Sequence, residues 1–166
     1  MKRILITGMS GTGKSAVIAE LAARGYRAVD ADNDGLSEMV SVPEDEVTGP
    51  GPGKDWVWRE DRIQELLSSE DADILFVAGT SPNQGTFYPQ FDRVILLSAP
   101  AEVIVERLMT RTNNPFGKRS GELDRTLQLL ETVEPLLRKG AHHEIDTSAP
   151  LDEVVDEVLR VADVRT

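Results

Sequence analysis

The segment Gly8-Met9-Ser10-Gly11-Thr12-Gly13-Lys14-Ser15 constrains this chain more than any other. It matches GxxxxGK[ST] in full, and it lies between residues 3–7, which read as a buried strand, and residues 14–24, which read as a helix. Glycines let the backbone curl until successive N–H groups converge on one point. The amino terminus of the following helix adds the positive end of its dipole, so the hollow favours phosphate oxygens. In such a loop the lysine reaches the β and γ phosphates and the serine hydroxyl ligates Mg²⁺. A tight turn that binds nothing has no need of Lys14 and Ser15 in that register. Gly8, Ser10, Gly11, Thr12, Gly13, Lys14 and Ser15 are therefore the expected triphosphate cradle, and Lys14 is also an expected catalytic group.

The rest of the chain alternates short β-rich apolar runs with amphipathic stretches, the pattern of a parallel sheet with crossover helices. Strands are expected at 27–30, 74–78, 94–98 and 143–146, and helices at 34–40, 58–67, 101–110, 123–138 and 151–161. The helix at 123–138 should kink or restart at Pro135. Residues 42–54, which contain Gly49-Pro50-Gly51-Pro52-Gly53, and residues 113–117 must be loop. With 166 residues, no internal repeat and no linker, one α/β unit spanning 1–166 is expected.

Charge and composition exclude several functions. The net charge of −11 is concentrated between Asp30 and Asp73, which hold 14 acids and 3 bases. Nucleic-acid binding rests on a basic surface that displaces counterions, so no nucleic-acid partner is expected. The acidic face also reads simply as solvated surface. No apolar run approaches the ~20 residues that a bilayer span needs, so no membrane partner is expected. The absence of cysteine rules out disulfides, thiolate zinc sites and a cysteine nucleophile. It also suggests a reducing, cytoplasmic compartment. His142 and His143 are consecutive on an expected strand and point to opposite faces, so they read as structural rather than as a metal pair.

Val29-Asp30-Ala31-Asp32 puts two carboxylates at the carboxyl end of a strand, where open α/β sheets bind ligands. Residues two apart on a strand share a face, so both can address one cleft if the extended conformation persists. One carboxylate can then serve Mg²⁺ while the other takes the proton of an attacking hydroxyl. Asp34 reads as a helix cap.

The glycine loop, the Asp-x-Asp that follows it and five expected strands resemble the small-molecule kinases of the nucleoside-monophosphate-kinase fold, particularly shikimate kinase and gluconate kinase. Residues 29–32 are also similar to the corresponding stretch of dephospho-coenzyme A kinase. The resemblance implies a three-layer P-loop NTPase fold: a five-stranded parallel sheet of order 2-3-1-4-5, helices on both faces and a short lid at about 111–120. It also implies an acceptor-binding segment at about 31–70, Asp30 and Ser15 near Mg²⁺, and Asp32 orienting the acceptor hydroxyl. Shikimate kinases carry a glycine triplet after the third strand, of which this chain keeps only Gly79. No aspartate ends that strand, which returns the acidic work to Asp30.

Thr80, Ser81, Asn83 and Gln84 could hydrogen-bond a polyhydroxylated acceptor, and a plain polar turn would use the same residues. Trp56 and Trp58 either wall the acceptor pocket or pack the core, and Arg59 or Arg62 could clamp an anion bidentately. With so few cations among so many acids, a neutral or singly charged acceptor is expected. Arg107, Arg111, Lys118 and Arg119 bracket the expected lid, and Arg111 and Arg119, with Lys118, are candidates to close over the transferring phosphoryl group. The family places its adenine contact after the fifth strand, at 146–150, where Thr147 is the candidate and reads equally as a helix cap. The expected function is transfer of the γ-phosphoryl group of ATP, with Mg²⁺, to a hydroxyl of a small metabolite. The alternatives are a nucleoside-monophosphate kinase and an ATP-binding sensor that transfers nothing. Oligomeric state is open, with a monomer plausible.

Overall fold

Burial along the first strand alternates between two faces, and this dictates a layered architecture. Ile4 and Ile6 turn to one side and Leu5 to the other, and all three are fully buried. A strand buried on both faces belongs at the centre of a parallel sheet covered by helices on each side. The computed structural model describes residues 2–9, 11–32, 35–41, 54–70, 72–110 and 120–162.

In chain order the elements are β1 (Lys2–Thr7), α1 (Lys14–Ala23), β2 (Arg27–Asp30), β3 (Ser37–Ser41), β4 (Lys54–Trp58), α2 (Glu60–Ser68) and β5 (Ile74–Ala78). A 3-10 helix (Gln84–Gln90), β6 (Arg93–Ser98), α3 (Ala101–Thr110), α4 (Ser120–Thr132), α5 (Glu134–Gly140), β7 (His143–Asp146) and α6 (Leu151–Val161) follow. The main sheet is parallel, with order β2-β5-β1-β6-β7. Counting only its own strands, this is 2-3-1-4-5, as the resemblance implied. Ile4 sits opposite Phe76 on one side and Arg93 on the other.

One face of the sheet packs Ile4, Ile6, Phe76, Ile95 and Leu97 against Val17, Ile18 and Leu21 of α1 and the apolar stripe of α6. The opposite face packs Leu5, Leu75, Val77 and Val94 against Trp58, Ile63, Leu67, Phe87 and Phe91. Leu96 on that same face meets Met9, Leu129 and Leu137 beneath α4 and α5. Each buried side chain of this size contributes about 1.5–3 kcal/mol relative to exposure. The two faces together clamp the strand ends that carry the site.

Two expectations are corrected. The helix expected at 34–40 is replaced by β3, which pairs antiparallel with β4, Ser37 opposite Trp58 and Ser41 opposite Lys54. Trp58 therefore ends a strand, and α2 begins at Glu60, with Glu60 and Asp61 favourably placed in its first turn. The turn-rich stretch before β6 contains the 3-10 helix, with Pro89 inside it. The long helix does break as expected. Val133 is the N-cap of a second helix, and Pro135, which has no N–H to donate, occupies its first turn.

Candidate active site

Backbone conformation builds the phosphate loop. Gly11 and Gly13 have φ of 85° and 101°, a region that side chains disfavour, and Gly13 leads directly into α1. Thr12 is fully buried and its hydroxyl donates to the Met9 carbonyl at 2.7 Å, closing the arc from inside. The Lys14 ammonium reaches back across the loop to the carbonyls of Gly8 at 2.5 Å and Met9 at 3.2 Å. Ser10 lies outside the described residues.

A second clasp ties the loop to the far side of the sheet. Thr147 is buried and donates its hydroxyl to the Thr12 carbonyl at 2.7 Å. Arg107 of α3 spans the joint, donating to the Gly11 carbonyl at 3.2 Å, to the Thr147 hydroxyl at 2.9 Å and to the Thr147 carbonyl. Arg107, expected among the basic residues that bracket the lid, is here engaged with the Gly11 carbonyl and with Thr147, partners far away in the chain. Beside this clasp lies a cavity of about 210 Å³, lined mainly by apolar groups of Ala16, Val17, Ala149, Leu151 and Val154, with Gly13, Arg107 and Thr147. A neighbouring hollow of about 330 Å³ is rimmed by Glu144, Asp146, Glu153 and Glu157, a lining that repels phosphate.

The acidic pair sits on the other flank of the loop. The Ser15 hydroxyl donates to Asp30 Oδ2 at 3.4 Å, and Asp30 Oδ1 accepts the Asp32 N–H at 3.0 Å. The extended conformation does not persist to Asp32, which lies in a turn. The two carboxylates are brought together by that side chain to backbone bond rather than by strand alternation. Asp32 receives the Thr80 N–H at 3.2 Å on each oxygen and the Trp58 Nε1–H at 3.4 Å on Oδ1. Burial pushes its pKa up from the ordinary 3.8 to about 6, a rise that Lys14 opposes and Asp30 reinforces.

Gly79 makes this arrangement possible. A Cβ there would come within 2.9 Å of Asp32 Oδ1, 3.1 Å of Trp58 Nε1 and 3.2 Å of the Ala31 Cβ. Its N–H continues the sheet by donating to the Ile6 carbonyl, and Ala31 donates to the Ala78 carbonyl. Those bonds hold the ends of β1, β2 and β5 level with one another.

The polar residues after β5 are largely engaged with the protein itself. The Thr80 hydroxyl donates to the Gly8 carbonyl at 2.5 Å, the same oxygen that Lys14 contacts. Asn83 gives its amide hydrogens to the Trp58 carbonyl at 2.9 Å and to Glu60 at 3.2 Å. Its Oδ1 accepts from Trp58 N and from the Ser81 hydroxyl. Gln84 is buried and bonds Ser81 N, the Thr7 hydroxyl and the Tyr88 hydroxyl. Of the two readings of this stretch, the polar turn accounts for Asn83 and Gln84.

Arg59 caps α2, and its N–H donates to the Leu36 carbonyl at 2.6 Å, joining the hairpin to the helix. Its guanidinium has no hydrogen-bond or ion-pair partner among the described residues. Trp58 packs in the core at 1% exposure, its ring tilted against Phe87. Arg111, Lys118 and Arg119, with the expected lid, lie outside the described residues. His142 is structural, its Nδ1 accepting the Val94 N–H at 2.8 Å. Among the described residues no helix is long and apolar enough to cross a membrane.

The AAA domain family matches residues 4–128. A shikimate kinase of Syntrophus aciditrophicus is 32% identical over 180 residues, covering 96% of this chain and 90% of that protein. The chain belongs to the P-loop small-molecule kinases. A second relative, shikimate kinase 2 of Yersinia enterocolitica, is 28% identical to the kinase over 95% of its chain and 94% of its own length. The solved shikimate kinase of Acinetobacter baumannii in complex with shikimate shares the kinase's fold with a TM-score of 0.64. It is 21% identical, with 97% of this chain and 92% of that one covered. The kinase is accordingly an ATP-dependent phosphotransferase that moves the γ-phosphoryl group to a hydroxyl of a small metabolite.

Proposed function

We propose that the kinase requires Mg²⁺ and phosphorylates a small polyhydroxylated acceptor, neutral or singly anionic, held over Asp32 by the segment at about 31–70. The observation that carries this reading is one chain of contacts. Lys14 and the Thr80 hydroxyl meet on the Gly8 carbonyl, and the Thr80 N–H holds the Asp32 carboxylate. The phosphate grip and the acidic group are thus locked to a single residue, which sets the distance between donor and acceptor.

In this reading Asp32 takes the proton of the acceptor hydroxyl as its oxygen forms a bond to the γ-phosphorus. The bond from phosphorus to the β–γ bridging oxygen breaks, and ADP leaves. Lys14 and the loop N–H groups of 8–15 stabilise the negative charge on the phosphoryl oxygens. Ser15 and Asp30 offer two hard oxygen donors at 3.4 Å from each other, and among the described residues no cluster of three His, Cys, Asp or Glu is found. That suits Mg²⁺, which keeps water and phosphate ligands and needs few from protein. The bound ion would neutralise charge between the β and γ phosphates. Gly79 serves the acceptor indirectly, by leaving room for Asp32 and the Trp58 indole to meet, and Arg59 supplies one guanidinium for a carboxylate or a pair of hydroxyls. Thr80 and Asn83 act at one remove, through Asp32 and Trp58. The base of ATP occupies the apolar cavity beside Arg107, with Thr147 shaping its wall. Arg111 and Arg119 are assigned the charge of the transferring phosphoryl group. The chain works as one catalytic unit over 1–166, in the cytoplasm, without nucleic-acid or membrane partners.

The test is ADP release from ATP and Mg²⁺ over a panel of shikimate, gluconate and other sugar acids, neutral polyols, and nucleoside monophosphates. Lys14→Ala serves as the control that loses turnover. A hydroxy acid or polyol should stimulate release, and chelation of Mg²⁺ should abolish it. Stimulation by nucleoside monophosphates alone would replace this acceptor class with nucleotides.

A further inference from the structure

We infer that Trp58 is a positioning residue for phosphoryl transfer: its indole N–H pins the Asp32 carboxylate in one rotamer and links the β3–β4 hairpin to the base. The inference rests on the assignment of Asp32 as the group that receives the acceptor proton.

Four features carry it. The Trp58 Nε1–H donates to Asp32 Oδ1, and the ring is held at 1% exposure against Phe87, so the donor has no rotational freedom of its own. The Trp58 backbone is anchored equally firmly. Its N–H is shared between the Ser81 hydroxyl at 3.0 Å and Asn83 Oδ1 at 3.2 Å, and its carbonyl accepts from Asn83. Gly79 leaves the gap through which indole and carboxylate meet, because any side chain there would strike both. The Thr80 N–H donates to both oxygens of the same carboxylate, whereas the indole N–H meets Oδ1. A buried indole needs a partner for its N–H, but one in the core usually finds a backbone carbonyl. Here the partner is the acid itself. Among the described residues, Lys14 of α1 and Asp30 of β2 also act on that carboxylate, and Glu60 of α2 reaches the same junction through Asn83.

The role differs from that of a core aromatic in what it predicts for Trp58→Phe, which keeps the ring and removes the N–H. With two tryptophans in the chain, the indole N–H resonances can be assigned by Trp56→Phe. The Trp58 resonance should shift in Asp32→Asn. Three-bond couplings in the wild type should report a single χ1 rotamer for Asp32, and in Trp58→Phe they should report averaging. With the panel compound that gives the highest wild-type turnover, Trp58→Phe should lower kcat about tenfold, a fraction of what a general base supplies. KM for ATP should stay within about twofold, since the phosphate loop is untouched. An unshifted indole resonance in Asp32→Asn, or a single Asp32 rotamer with unchanged kcat in Trp58→Phe, overturns the inference. The reading beneath it fails separately, if Asp32→Asn turns over like the wild type.

Discussion

Asp32 holds its carboxylate in a setting that favours the acid form, with consequences for stability as well as rate. Its folded pKa of about 6 lies above the ordinary 3.8, so between those values the folded state binds more protons than the unfolded one. Stability from this group is therefore fully present below about pH 4, declines as pH rises through the window, and is lost above about pH 6. A shift of this size corresponds to about 3 kcal/mol, a large part of a typical 5–15 kcal/mol total. Asp32→Asn, measured by thermal unfolding with a chelator present, should be more stable than the wild type at pH 8. The gap should close below about pH 4. An equal Tm at both pH values would show that the carboxylate is not raised by burial. Such an Asn keeps an acceptor for Thr80 and Trp58, so the variant trades turnover for stability.

At the scale of elements, one side chain hydrogen-bonds α3 to both the phosphate loop and the β7–α6 connection. Arg107 makes two bonds to Thr147 and one to Gly11. Hydrogen bonds from a charged donor contribute about 1.5–3 kcal/mol each when broken in a partly buried setting. Arg107→Ala should lower Tm by about 10 °C or more. It should also raise KM for ATP more than it lowers kcat, and an unchanged KM for ATP would mean that the clasp does not shape the donor site. Most elements were legible beforehand because they are long enough to show a period: α1, α6 and the strands of the main sheet stand as expected. The hairpin was not. In Ser-Glu-Met-Val-Ser the two apolar residues are adjacent, which fits neither a strand's alternation nor a helix's stripe, and strand character there comes from pairing with β4. The glycine loop could be read outright, since its chemistry resides in consecutive residues. The bonds of Asp32 to Trp58 and Thr80 could not, because they join positions 26 and 48 apart.

For the whole molecule, the net charge of −11 resides along the chain between Asp30 and Asp73, the stretch proposed to hold the acceptor, and not in the phosphate loop. Exposed Glu60, Asp61 and Glu65 of α2 stand close in sequence to Arg59, a candidate clamp in the segment. At low ionic strength this field repels anions, and salt screens it over about 10 Å at 0.1 M. Raising salt from about 0.02 to 0.2 M should increase kcat/KM for a carboxylate-bearing acceptor relative to a neutral polyol. A constant ratio would show that the acidic face is remote from the path of entry.

Among the described residues, the β3–β4 pair shares no strand bonding with the five-stranded sheet. Under the proposed function, choice of alcohol and activation of phosphate are written on separate stretches of backbone, joined where Trp58 meets Asp32, Ser81 and Asn83. Rewriting the hairpin should then exchange one clientele for another and leave the grip on ATP intact, provided that a hydrogen-bond donor survives where Trp58 now stands.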